Sequence, residues 1–148
     1  MVTDPRHRGP LIRSFEVALR GITEAWCRER NFRIQVVYAA LMVGLACWLR
    51  PERGEVLVLS LALFALLSAE LMNTAVERAV DLATETHHPL ARSAKDIAAG
   101  SVLVVAVGTA LVSMAILAPH LPWNSWLAFL ALQGLALSSR SERGARLL

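Results

Sequence analysis

Long apolar blocks separated by short charged stretches set the architecture of this chain. Residues 32–49 (FRIQVVYAALMVGLACWL), 56–69 (VLVLSLALFALLSA) and 97–117 (IAAGSVLVVAVGTALVSMAIL) carry very few charges. Each block is long enough, or continues far enough as helix, to cross a hydrocarbon core of about 30 Å. Before the first block, Phe15, Ala18, Leu19, Ile22 and Trp26 recur at helical spacing. Arg13, Glu16, Arg20, Thr23, Glu24 and Arg28 take the opposite face. That pattern predicts a helix from Leu11 to about Arg30 lying flat at a membrane surface.

The expected fold is therefore all-α and membrane-embedded, with one amphipathic surface helix and three spans. The spans are placed at about Phe32–Leu49, Val56–Ala83 and Ile97–Leu117. Arg50–Glu55 reads as a tight turn, and 84–93 (TETHHPLARS) as a polar loop broken by Pro89. Segment 125–138 (SWLAFLALQGLALS) is apolar but short. It reads as a marginal fourth span or as an interfacial helix, followed by Arg140, Arg143 and Arg146. The organisation is thus a polar arm over 1–10, a membrane domain over 11–118, and an extension over 119–148.

Charge fixes the orientation. The chain has 148 residues and a formal net charge of +3, with 55% hydrophobic and 18% charged residues. No basic run of the kind that grips nucleic acid is present. Arg6, Arg8, Arg13, Arg20, Arg28, Arg30 and Arg33 precede or open the first span, whereas the next turn has only Arg50 and Arg53. The N-terminus and the loop near 84–96 are therefore expected on the cytoplasmic side. Cys27 and Cys47 flank opposite ends of the first span and read as unpaired thiols. No cleavable signal peptide is read, because charged residues run before any apolar core.

The second block runs without a breaker into Glu70-Leu71-Met72-Asn73-Thr74-Ala75-Val76-Glu77-Arg78-Ala79-Val80-Asp81. Glu70, Asn73, Thr74, Glu77 and Asp81 share one helical face. Carboxylates at the edge of a span are costly and mark functional sites. Glu77 and Glu29 suit Mg²⁺, which takes one or two carboxylates plus substrate phosphates. Lys95 offers charge to a phosphate and Asp96 an acceptor. Glu70, deeper than Glu77, is placed to take a proton from a lipid hydroxyl. His87 and His88 lack further ligands nearby and read as loop residues with a polar contact to nucleotide. Competing readings are a small transport or proton-relay subunit using the same carboxylates, and an oligomer whose polar ladder only joins helices.

At these residues the chain resembles the small prokaryotic integral-membrane lipid kinases, the diacylglycerol kinase and undecaprenol kinase family. Glu70 to Glu77 with Asp81 carries the likeness, together with Ala94-Lys95-Asp96, Ala25-Trp26, Glu29, Phe32-Arg33 and Ala46-Cys47-Trp48-Leu49. The match spans roughly 13–118. The resemblance implies an ATP-dependent lipid kinase of the bacterial inner membrane, multi-pass, working as a homotrimer with sites between protomers facing the cytoplasm. It implies Glu70 as catalytic base and Glu29 and Glu77 as metal and nucleotide ligands. Lys95 and Asp96 would meet the phosphates, and His88 the nucleotide. Trp26, Phe32, Arg33 and Trp48 would lie by the lipid, with Glu70 and Asn73 at the acceptor. Pro10 and Ala18 depart from the diacylglycerol-type pattern, which has arginine and serine near these positions. The stretch from His88 to Gly100 is more similar to the undecaprenol kinases of Gram-positive bacteria, and the tail from about Asn124 has no counterpart in short members.

Overall fold

The computed structural model describes residues 10–84 and 88–123, and their chain path is helical with brief corners. Helix α1 covers Pro10–Arg28, α2 Arg30–Leu49, α3 Arg53–Ala83 and α4 Pro89–Leu117; a 3₁₀ turn over Ala118–His120 follows. Among the described residues, three helices are long and apolar enough to cross a membrane: Arg30–Leu49, Arg53–Ala83 and, with its 3₁₀ turn, Pro89–His120. The fourth apolar segment, 125–138, and the arm up to residue 9 lie outside the described residues, as does His87.

Each corner has a local cause. Glu29 adopts an extended backbone (φ −98°, ψ 114°) between α1 and α2, so the chain turns there and not at Arg30. Arg33 Nη1 donates to the carbonyls of Trp26 (3.3 Å) and Cys27 (3.1 Å), which the end of α1 leaves without helical partners. At the other end of α2, Arg50 takes the left-handed conformation (φ 54°, ψ 56°) and Pro51 follows, which prevents continuation. Glu52 and Glu55 then form a capping box, with the Glu52 backbone N–H donating to Glu55 Oε2 at 2.8 Å.

Pro89 plays a different part from the breaker expected within a loop reaching 93. It occupies the first turn of α4, where its missing N–H would have had no helical partner. His88 caps the same turn, its Nδ1 accepting from the Leu90 N–H at 3.2 Å. The helix therefore starts eight residues before Ile97, and Lys95 and Asp96 sit on helix rather than beside it.

At about 1.5 Å per residue, α3 is roughly 46 Å long and α4 roughly 44 Å, both longer than a hydrocarbon core of about 30 Å. They pack against each other along most of their length, α2 lies more lightly on both, and α1 rests on α2 and α3. The apolar core is small: Ala39, Leu59, Leu63, Ile116 and Leu117, with Tyr38, Met42 and Leu67 around it. A polar seam threads it. Tyr38 Oη donates to Ser113 Oγ at 3.0 Å, Ser113 Oγ to the Thr109 carbonyl at 2.8 Å, and Thr109 Oγ1 to the Ala62 carbonyl at 3.2 Å. Such bonds pin neighbouring helices in surroundings that offer no water. This core fills the half of the bundle away from Glu29, leaving the other half to the polar ladder.

Candidate active site

The ladder faces inward on α3. Glu70, Asn73 and Thr74 are buried, Glu77 is half-buried and Asp81 is exposed. Exposure thus rises along α3 from Glu70 to Asp81. Glu70 lies about 10 Å deeper along the axis than Glu77, seven residues on. At 3% exposure it is turned into the protein and not into acyl chains.

Glu70 is held from α2. Gln35 Nε2 donates to Glu70 Oε2 at 2.8 Å, fixing one carboxylate oxygen. One turn above Glu70, Asn73 Nδ2 donates to Glu77 Oε1 at 2.9 Å. Both amides point their nitrogens at carboxylates, so their oxygens are left over. Gln35 Oε1 and Asn73 Oδ1 are buried and have no hydrogen-bond partner among the described residues. Buried acceptors of this kind call for a donor or a cation.

Glu29 joins the same level of the bundle. Arg78, the neighbour of Glu77, reaches Glu29 Oε1 with Nη2 at 3.5 Å and Glu24 Oε1 with Nη1 at 3.0 Å. The α1–α2 corner and the Glu77 end of α3 therefore stand at one end of the bundle. Lys95 Nζ donates to Asp81 Oδ1, which ties α4 to the outer end of the ladder. Asp96 sits on the exposed side of α4, paired at 3.8 Å with Arg92 one turn earlier. His88 is exposed at the entrance to α4.

A groove of about 610 Å³ opens between α1, α2 and α3; on α3 its lining ends at Leu71, the residue after Glu70, while Glu70 itself lies outside the lining. Trp26, Phe32, Val36, Phe64, Leu67 and Leu71 are among its lining residues, with Thr23 and Ser68 supplying hydroxyls. Thr23 Oγ1 already donates to the Leu19 carbonyl at 2.8 Å. The walls are thus almost wholly apolar and suit hydrocarbon.

Not every expected residue joins this assembly. Trp48 is exposed near the far end of α2, about 24 Å along the axis from Phe32. Arg33 uses its guanidinium to close the end of α1. Conversely, Gln35, Arg78 and Glu24 were not singled out by the sequence pattern. Gln35 had a signal: it is the one amide in the apolar run 34–49. Arg78 had a weaker one, as a cation set inside an acidic ladder.

The oxygen donors fit a hard divalent cation. Among the described residues no three His, Cys, Asp or Glu side chains converge on a point. Glu29 and Glu77 would therefore share an ion with phosphate oxygens and water, the pattern Mg²⁺ takes, and the bare Asn73 Oδ1 beside Glu77 adds a neutral oxygen.

Fold and site define a multi-pass helical membrane protein with a polar, carboxylate-lined site beside a hydrocarbon groove. Residues 16–117 match the family model described as prokaryotic diacylglycerol kinase. The chain belongs to that family. The undecaprenol kinase of Bacillus subtilis (strain 168) is 42% identical over 120 residues, covering 78% of this chain and 96% of that protein. The diacylglycerol kinase of Synechocystis sp. is 38% identical over 112 residues, covering 75% of this chain and 64% of that one. The diacylglycerol kinase of Escherichia coli (strain K12) is 30% identical over 97 residues, covering 66% and 80%. The protein is thus a lipid kinase, and the family implies ATP as its phosphate donor. The readings of the chain as a non-enzymatic transport or purely structural protein give way to this one.

Proposed function

We propose that this kinase moves the γ-phosphoryl group of Mg-ATP to the terminal hydroxyl of a membrane lipid alcohol, with Glu70 as general base. The observation that carries the proposal is the position of Glu70. It is buried at the level where the apolar groove ends and the carboxylates begin. A hydroxyl whose chain lies in the groove meets Glu70 from the lipid side. The nucleotide reaches the Glu29–Glu77 level from water.

The chemistry follows from these placements. Bound Mg²⁺ would neutralise phosphate charge, held by Glu29 and Glu77. Lys95, on α4 beside Asp81, supplies a further positive charge for the phosphates, while Asp96 and His88 contact the nucleotide. Gln35 holds Glu70 Oε2 so that the carboxylate keeps one orientation. Glu70 takes the hydroxyl proton as the alkoxide oxygen bonds to the γ-phosphorus and the bond to ADP breaks. Catalysis is then mainly positioning and charge neutralisation. Trp26 and Phe32 line the acceptor groove, with Asn73 behind Glu70. Arg33 acts on the acceptor indirectly, by fixing the α1–α2 corner.

The acceptor is an undecaprenol-type polyprenol. Two features support this over diacylglycerol. The Bacillus undecaprenol kinase aligns over nearly its whole length. The groove also offers few donors for the two ester carbonyls a diacylglycerol brings. The enzyme works as a homotrimer in the bacterial inner membrane, with its site open to the cytoplasm. The long exposed apolar faces of α2 and α4 suit burial in lipid or against other protomers. Purified protein given Mg-ATP and equal amounts of undecaprenol and diacylglycerol in mixed micelles should phosphorylate the prenol preferentially. Preferential phosphorylation of diacylglycerol would reverse the acceptor assignment.

A further inference from the structure

We propose that Arg78 is the positioning residue of the nucleotide half-site: anchored on Glu24, it holds the Glu29 carboxylate in place for the metal-nucleotide. The inference rests on the reading of Glu29 as a metal ligand given above.

Glu29 sits at a break in the chain. Its backbone is extended, and its side chain makes no capping bond to α2. No capping bond therefore fixes the carboxylate. The side-chain contact described for it is with Arg78 of α3, at 3.5 Å. Arg78 is more tightly engaged on the other side, with Glu24 of α1 at 3.0 Å. Glu24 also pairs with Arg28 one turn on, at 3.5 Å.

The geometry is asymmetric in a useful way. The short contact is to a residue with no assigned ligand role, and the long contact is to the expected ligand. A guanidinium presents several donors in a rigid fork, so it can keep Glu24 while sharing a second carboxylate. A metal ion approaching Glu29 competes only for the long contact. Arg78 follows Glu77 on α3 and points about 100° around the helix from it. One side chain therefore ties the surface helix and the Glu29 corner to the helix that carries the second carboxylate. Partners that orient metal ligands without touching the metal change affinity by about 10–100-fold when removed. The contacts here are half-exposed, so the low end applies.

The test uses the full-length protein in detergent and reads binding of Mn²⁺ with a non-hydrolysable ATP analogue by electron paramagnetic resonance, without lipid. Arg78→Ala should weaken that binding about tenfold. In turnover assays it should raise KM for Mg-ATP far more than it lowers kcat. Arg78→Lys should recover part of the loss, because a single ammonium can hold only one carboxylate well. Glu24→Gln should weaken binding to a smaller degree. The decisive comparison is the double variant Arg78→Ala/Glu29→Gln, which should bind no more weakly than Glu29→Gln alone. Additive losses, or wild-type binding by Arg78→Ala, would overturn the proposal and leave Glu29 as a ligand. Wild-type binding by Glu29→Gln would instead remove the ligand role, and this inference with it. If Arg78→Ala fails to fold, the Glu24→Gln and Arg78→Lys variants, each combined with Glu29→Gln, report the same coupling.

Discussion

Glu70→Gln is expected to lower kcat by roughly a hundredfold to ten-thousandfold, the span of general-base contributions. Mg-ATP binding should change little. The substitution is close to isosteric. Its amide oxygen can still accept from Gln35 Nε2, so the contact that holds this side chain survives. What is lost is the site that takes the proton from the hydroxyl. Glu77 is about 10 Å nearer the water side and cannot substitute for it. The measurement is steady-state phosphate transfer to lipid alongside titration of the same preparation with nucleotide. Near-normal turnover would show that another group receives the proton.

Glu77→Gln should weaken Mg-ATP binding by about a hundredfold or more, since losing a direct ligand should cost at least as much as losing an outer partner. Glutamine is preferred to alanine here. Glu77 Oε1 accepts from Asn73 Nδ2, and an alanine would strip Asn73 of that partner while its Oδ1 is already bare. The resulting loss of stability, about 1–3 kcal/mol, would blur the reading. A Mg²⁺ titration at fixed ATP separates the effects: Glu77→Gln should need far more metal for half-maximal turnover. An unchanged metal requirement would count against a ligand role for Glu77.

The helical membrane architecture was legible because hydrophobic blocks and charge placement are strong, one-dimensional signals. The ladder was legible for the same reason: Glu70, Asn73, Thr74 and Glu77 are close in sequence, and helical spacing alone puts them on one face. Boundaries were less legible. Pro89 reads as a stop, yet at the first position of a helix it is a start, and only the cap on His88 distinguishes the two. Tertiary partners were the least legible. Gln35 reaches Glu70 across 35 positions and Arg78 reaches Glu29 across 49. No local periodicity encodes contacts of that range. The place of Trp48, at the end of the first span, was legible from the span bounds Phe32–Leu49, and only its role beside the lipid came from the family likeness. The structure sets it near the end opposite Phe32. Asp96 likewise has a protein partner that was not singled out from the sequence. Being adjacent to Lys95 on a helix turns it about 100° away, and it pairs with Arg92 outside the ladder.

The central claim is that a dissolved nucleotide meets a membrane alcohol at the corner between α1 and α2, on one side of the bilayer. The two cysteines allow a direct measurement. Cys27 lies two residues before Glu29, and Cys47 lies near the far end of α2, about 25 Å away along the helix; both thiols are exposed. A spin label would be placed on Cys27 in a Cys47→Ser protein, and on Cys47 in a Cys27→Ser protein. Addition of Mn-ATP should strongly broaden the label at Cys27 and leave the one at Cys47 nearly unaffected. Equal broadening at both, or broadening at Cys47 alone, would contradict the account.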